Sequence, residues 1–198
     1  MADALQVFVK RIYRRPADMT NILVPLPRYQ DVGNTAWALV NELLPLCCGT
    51  EKLESAEDAR AIGWLLHAID RYGCTFEELT DHAPLQVVYA VSQISADNRL
   101  TYPRRVLDRL SRISQSTAVA QIAVFSEILL QTENLSRLPA PAEPSARENI
   151  RLWVDEQVEL LQAMHAFRVV PTAEPMLTAL RESLVRVNKR RRVCQKVP

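Results

Sequence analysis

Two ionisable side chains, His67 and Glu127, interrupt segments whose other residues are typical of buried helices. His67 follows Trp-Leu-Leu, and Glu127 lies inside the run AVAQIAVFSEILL. A buried charge is costly unless the group is paired, hydrogen-bonded, protonated or bound to a metal. Asp70 follows His67 by three residues and shares its helix face. Gly63, one turn earlier, is expected to leave space beside the imidazole. If the helices are neighbours, the three side chains form a metal site or, as we favour, a neutralised polar cluster.

A second chemical feature is the density of arginine between residues 99 and 112. Five arginines occur within these fourteen residues, and two aspartates are the acids beside them. Arg105, Arg109 and Arg112 have the spacing i, i+4 and i+7, which places them on one face of a helix. Guanidinium groups suit phosphate because they are planar, multidentate and permanently charged. The alternative is a solvated face with internal Arg–Asp pairs, and the spacing leaves both possibilities open.

The cysteines and the termini restrict the compartment. Cys47, Cys48, Cys74 and Cys194 include no CxxC pair, which argues against a zinc site of thiolates. We expect free thiols in a reducing compartment, the cytoplasm, or a host cytoplasm if the protein is a delivered effector. No apolar run approaches the roughly 20 residues of a membrane span, and the N-terminus lacks a signal-peptide core.

Charge is distributed unevenly, although the net charge is only +1. Residues 16–180 hold 13 Lys and Arg against 21 Asp and Glu, so the excess positive charge is at the two ends. The basic tail from Arg186 to Lys196 is expected to be a solvated helix end. Contact with nucleic acid, anionic lipid or an acidic partner is the alternative.

Helical periodicity dominates the chain, and only 4 glycines occur in 198 residues. The sequence therefore predicts an all-α protein, a compact helical bundle. The segment 117–135 is apolar nearly all round and is expected at the centre of the bundle. Thr75-Phe-Glu-Glu78 is a capping-box pattern that predicts a helix start. The other helices are predicted at 55–73, 84–96, 102–114, 146–168 and 173–190.

The segment PAPAEPSA, residues 139–146, is the clearest break in the chain. The apolar stripes of the two helices after it need a partner, so we expect these helices to pack on the core. The predicted organisation is an N-terminal helix with an irregular connection (1–32), a helical core (33–138), a Pro-rich linker (139–146) and two C-terminal helices with a basic tail (147–198).

The segments LLHAIDRYGCTFEEL and HAPLQVVYAVSQIS resemble the HD-domain phosphohydrolases, most closely the RelA/SpoT-type hydrolases of the alarmone (p)ppGpp. The likeness lies in the Leu-Leu-His that ends at His67, the Thr-hydrophobic-Glu-Glu-Leu helix start at Thr75, and the valine-rich helix that leads to Ser95. SEILLQ, residues 126–131, lies where the family has a helix containing Ala-Asp. The resemblance covers roughly residues 30–137 and implies an HD-domain-like core.

The resemblance also implies a loss of metal ligands. In these enzymes two histidines and two aspartates hold one divalent metal, which activates water against a phosphate ester. The first histidine corresponds here to Asn34, the aspartate of the His-Asp pair to Ala68, and the last aspartate to Glu127; His67 is unchanged. We therefore expect no metal cofactor. If one binds, it is a divalent ion such as Mn held by His67, Asp70 and Glu127.

The function expected from these residues is that of a pseudo-enzyme, which binds a nucleotide, another phosphate-bearing small molecule or a protein partner without efficient hydrolysis. One alternative is an active metal-dependent nucleotide phosphohydrolase with a reduced ligand set and Asp70 as its catalytic residue. Another is an all-α interaction or effector module with only architectural similarity to HD domains. The predicted ligand-binding residues are Asn34, His67, Gln131, Arg105, Arg109 and Arg112.

Overall fold

A computed structural model describes residues 2–17, 26–43, 56–137 and 143–164. Within these ranges the chain forms eight helices and no strand, which confirms the predicted all-α class. None of the described helices is long and apolar enough to cross a membrane. The helices are α1 (Ala2–Ile12), α2 (Tyr29–Leu43), α3 (Ala56–Leu65), α4 (Phe76–Thr80), α5 (Leu85–Ile94), α6 (Tyr102–Gln115), α7 (Ala118–Arg137) and α8 (Pro144–Ala163).

Several sequence predictions concern residues outside the described ranges. These are the helix predicted at 173–190, the basic tail, and the cysteines Cys47, Cys48 and Cys194. Cys74, the remaining cysteine, is a buried free thiol.

The helix α7 lies at the centre of the bundle. Every residue from Ala120 to Ile128 is buried, and the helix contacts α2, α3, α5 and α6. A helix that is apolar all round can pack on every side, as the sequence predicted. Its buried Ser126 donates a hydrogen bond to the Ile122 carbonyl at 2.8 Å, within the same helix. Glu127 instead pairs with side chains of other elements, and these side chains form the site described below.

The backbones of α2 and α3 touch where Gly33 faces Gly63. A Cβ atom on Gly63 would lie 2.7 Å from Gly33 Cα, and one on Gly33 would lie 2.7 Å from the carbonyl oxygen of Arg60. Neither position has room for a side chain. The expectation that Gly63 opens space beside His67 is therefore wrong, because α2 fills that space.

The helix predicted at 55–73 ends at Leu65. Residues 66–72 form consecutive turns, and Gly73 follows with a φ of 65°. The Ala68 amide donates to the Leu65 carbonyl at 2.8 Å, and the Cys74 amide donates to the Ala68 carbonyl at 2.9 Å. The first hydrogen bond spans three residues, which is a tighter turn than in an α-helix, and the second spans six. His67 therefore lies in an irregular segment, here called the histidine turn (residues 66–72).

The capping pattern at Thr75 is only half realised. The Thr75 hydroxyl accepts a hydrogen bond from the Glu78 amide at 3.1 Å, as the pattern predicts. The Glu78 carboxylate pairs with Arg15, after the end of α1, instead of returning to the cap. This ion pair joins α1 to the segment that follows the histidine turn.

The helix α8 packs on α6 and starts at Pro144, inside the segment predicted as a linker. Its apolar stripe is buried through Trp153, Val154, Leu160 and Met164. The same face carries Glu156 and Gln157 towards α6, and both reach the site.

We predict that Gly33→Ala destabilises the protein, by about 1–3 kcal/mol, because the new methyl group forces α2 away from α3. The matched control is Asn34→Ala on the exposed side of the same helix, which should change the free energy of unfolding by less than about 0.5 kcal/mol. Urea denaturation followed by circular dichroism measures both variants. Equal stability of Gly33→Ala and wild type would refute the close approach of the two helices.

Candidate functional site

The imidazole of His67 lies between two carboxylates. Its Nε2 atom is 2.6 Å from Glu127 Oε1, on α7, and its Nδ1 atom is 3.3 Å from Asp70 Oδ1, in the same turn. All three side chains are largely buried. The convergence predicted from the sequence therefore exists, and the turn rather than a helix face brings His67 and Asp70 together.

The two carboxylates determine the protonation of the imidazole. Burial alone lowers the pKa of His67, but the negative charges of Glu127 and Asp70 outweigh it and raise the pKa to about 10. Burial raises the pKa of each carboxyl group, yet the charge of His67 holds the pKa of both Asp70 and Glu127 below its ordinary value. At neutral pH the cluster is an imidazolium between two carboxylates.

The second oxygen of Glu127 faces α6. Arg109 Nη2 lies 3.7 Å from Glu127 Oε2, and Arg109 Nη1 lies 3.5 Å from Glu156 Oε1 on α8. The Tyr102 hydroxyl donates a hydrogen bond to Glu156 Oε2 at 3.3 Å. On α7 itself, Gln131 Nε2 donates to Glu127 Oε1 at 3.4 Å. Arg109 thus connects two carboxylates, one on the central helix and one on the C-terminal helix.

These side chains line a small polar cavity between the histidine turn and the helices α6, α7 and α8. Its volume is about 60 Å³, more than the roughly 10–15 Å³ that one water molecule requires. The cations Arg71, Arg105 and Arg109 contribute to its wall. The other lining residues are Leu26, His67, Asp70, Ala96, Tyr102, Glu127, Gln131, Trp153, Glu156 and Gln157.

The structure brings together most, but not all, of the sequence-predicted ligand residues. His67, Gln131, Arg105 and Arg109 line the cavity with Asp70 and Glu127. Asn34 does not line the cavity. It lies in the second turn of α2, and it is exposed to solvent.

Arg112 also lies apart from the cavity. Its guanidinium donates to Asp108 at 2.5 Å and to the carbonyls of Ser92 and Gln93 at the end of α5, both at 3.2 Å. The internal Arg–Asp pairing considered for this helix therefore applies to Arg112, whereas Arg105 and Arg109 turn towards the cavity.

Glu156 and Tyr13 are among the residues of this region that the sequence analysis did not predict. Glu156 follows Trp153 by three residues, so the buried stripe of α8 contained a signal for it. Tyr13 follows the end of α1 and stacks on Tyr29, with ring centroids 4.3 Å apart. Burial raises the pKa of Tyr13 well above its usual value, and the charges of Asp70 and Glu127 add to the shift. Nothing in the sequence around Tyr13 indicates this long-range placement.

The arrangement does not fit a divalent metal. A metal ligand needs a free lone pair, but both ring nitrogens of His67 point to carboxylate oxygens and both oxygens of Glu127 point to cations. Ala68 has no ligand atom and is fully buried. Within the ranges 2–17, 26–43, 56–137 and 143–164, no group of three or more His, Cys, Asp or Glu side chains could hold a metal ion.

We predict that His67 stabilises the protein in a pH-dependent way. Because the folded pKa lies above the ordinary value of 6.5, the contribution is fully present below about pH 6.5 and is lost as the pH rises towards 10. The free energy of unfolding of wild type minus that of His67→Gln should fall across this window by a few kcal/mol, at about 1.4 kcal/mol per pKa unit.

Denaturation of both proteins at a series of pH values measures this difference, in which titrating groups outside the cluster of His67, Asp70 and Glu127 cancel. The exposed His82, which lies outside the cluster, provides a matched His→Gln control. A difference between wild type and His67→Gln that stays constant from pH 6.5 to 10 would contradict the buried imidazolium.

Comparison with known proteins finds a solved structure with a similar fold. No family model matches the chain, and no curated protein matches it in sequence. In structure it is similar to a solved metazoan ortholog of SpoT, a protein that hydrolyzes ppGpp and plays a role in starvation responses. The TM-score is 0.63 at 12% sequence identity, over 90% of this chain and 92% of that one. At this identity the likeness shows the fold alone: the chain has a distant HD-domain-like, SpoT-like helical fold, as the sequence resemblance implied.

Proposed function

We propose that this protein is a pseudo-enzyme with an HD-domain-like fold, which binds a phosphate-bearing nucleotide without metal-dependent hydrolysis. The observation that carries the proposal is the imidazole of His67 with a carboxylate at each nitrogen, 2.6 Å and 3.3 Å away. A doubly protonated imidazole has no lone pair for a metal. Hydrolases of this fold type need the metal to activate water, so this arrangement argues against their chemistry.

The charges of the cavity wall support a binding role. With His67 protonated, the wall carries four cations, which are His67, Arg71, Arg105 and Arg109. Three carboxylates, those of Asp70, Glu127 and Glu156, oppose them. The remaining positive charge favours an anionic ligand, and guanidinium groups favour phosphate among anions. The structural likeness to a ppGpp hydrolase makes ppGpp the first nucleotide to test.

We predict that wild-type protein shows neither stoichiometric Mn²⁺ binding nor ppGpp hydrolysis above the rate without protein. Calorimetric titration with Mn²⁺ and chromatography of ppGpp after incubation measure the two properties. Turnover that is lost in His67→Gln and kept in His82→Gln would contradict the proposal and support the active phosphohydrolase, with Asp70 and Glu127 as further candidates for the metal site.

We also predict that ppGpp raises the melting temperature in buffer containing EDTA. A ligand that binds the native state stabilises it by about 2.7 kcal/mol at one hundred times its dissociation constant. If ppGpp, GDP and ATP all leave the melting temperature unchanged, nucleotide binding is refuted, and a protein partner becomes the better explanation of the retained fold.

A further inference from the structure

Arg105 differs from the other arginines of α6 because it is buried without an anionic partner. Its residue surface is 7% exposed, and it lies in the first turns of the helix. Arg109 pairs with two carboxylates and Arg112 with one. Among the residues that the structure describes, no carboxylate lies within ion-pair distance of Arg105 and no acceptor receives a hydrogen bond from it. Its guanidinium nevertheless lines the cavity.

The side chain of Arg105 is largely buried, and its guanidinium faces the cavity. A buried charge is normally paired, because the loss of hydration must be offset by an opposite charge or by hydrogen bonds. The ring of Tyr102, 5.6 Å from the Arg105 guanidinium carbon, supplies a cation–π contact. Such a contact is worth about 0.5–2 kcal/mol. The guanidinium faces the polar cavity and has no anionic partner from the described part of the chain.

Two further features near Arg105 favour an anion. The helix α6 begins at Tyr102, a cavity residue, and its N-cap Thr101 makes no side-chain capping hydrogen bond. The positive end of the helix dipole is thus not neutralised by a cap or by an acidic residue in the first turn. The Nε atom of Arg109, one turn further along, is buried and has no hydrogen-bond partner. Arg105 and Arg109 thus both have donor atoms without an acceptor among the described residues.

We propose that Arg105 binds one phosphate group of the ligand in the cavity between α6 and α8. The inference rests on the proposed function and specifies which side chain holds a phosphate group of the nucleotide. The guanidinium of Arg105 lines the cavity together with Arg109. The carboxylates of Glu127 and Glu156 are already occupied by Arg109, so Arg105 is the cation left for the ligand.

The test compares Arg105→Gln with Arg104→Gln. Both variants remove one positive charge from the same turn, but Arg104 is exposed to solvent. Calorimetric titration in EDTA with orthophosphate, pyrophosphate and ppGpp should give a dissociation constant at least tenfold higher for Arg105→Gln than for wild type. Arg104→Gln should bind within about twofold of wild type, since a charge-assisted hydrogen bond is lost only in the first variant. Equal weakening of both variants would overturn the proposal, because only the general charge would then matter.

Stability without ligand separates a binding residue from a structural one. If Arg105 is kept for an anion, Arg105→Gln should melt at the same temperature as wild type in phosphate-free buffer, because Arg105 has no ion pair within the described part of the chain to lose. Arg109→Gln, which leaves two carboxylates with one cation fewer, should melt lower. A lower melting temperature for Arg105→Gln would indicate a structural role. If Arg105→Lys and Arg105→Gln also bind phosphate as tightly as wild type, the proposal is overturned.

Titration with the three anions also distinguishes a failure of this inference from a failure of the proposed function. Tighter binding of ppGpp than of orthophosphate, lost in Arg105→Gln, supports both. Equal binding of the two anions, lost in Arg105→Gln, supports the phosphate site and refutes the nucleotide. Binding of ppGpp that Arg105→Gln leaves intact overturns the inference while the proposed function stands.

Discussion

The hydrogen bond between His67 and Glu127 is the interaction on which the rest of the site depends. Glu127 lies in the most buried part of the central helix, where an unpaired carboxylate would cost several kcal/mol. The histidine turn supplies a cation to one of its oxygens and α6 supplies another to the second. This requirement determines how the turn and α6 approach α7. The cavity lies between the histidine turn, α6 and α7, which these ion pairs connect.

Arg109 extends this constraint to the C-terminal helix. Its guanidinium is shared between Glu127 and Glu156, so a chain of charges runs from α7 through α6 to α8. Buried ion pairs contribute little net stability compared with apolar packing, but removing one partner is strongly destabilising. The chain of charges thus favours one relative position of the three helices. Arg105, one turn before Arg109, faces the same cavity and has no such partner in the described part of the chain.

Sequence reasoning succeeded where a local pattern has one physical meaning. The apolar run with Glu127 inside it was expected at the centre of the bundle, with its carboxylate paired, hydrogen-bonded, protonated or bound to a metal; α7 is central, and Glu127 is paired with His67. Reasoning failed where the outcome depends on contacts distant in sequence. Apolar periodicity extended the third helix to residue 73, whereas the chain leaves the helix at Leu65. The space beside Gly63 was assigned to His67, but the backbone of α2 at Gly33 occupies it.

The carboxylates of this cluster are paired with cations of the protein itself. In a metal centre the divalent ion supplies the two positive charges that buried carboxylates require. Here an imidazolium and a guanidinium, from His67 and Arg109, supply two positive charges to Asp70 and Glu127. An added divalent ion would meet two cations at close range and find the carboxylate oxygens occupied, and it would have to displace a proton from an imidazole whose pKa is about 10. A phosphate at Arg105 meets the opposite situation, since it adds negative charge where a cation is unpaired.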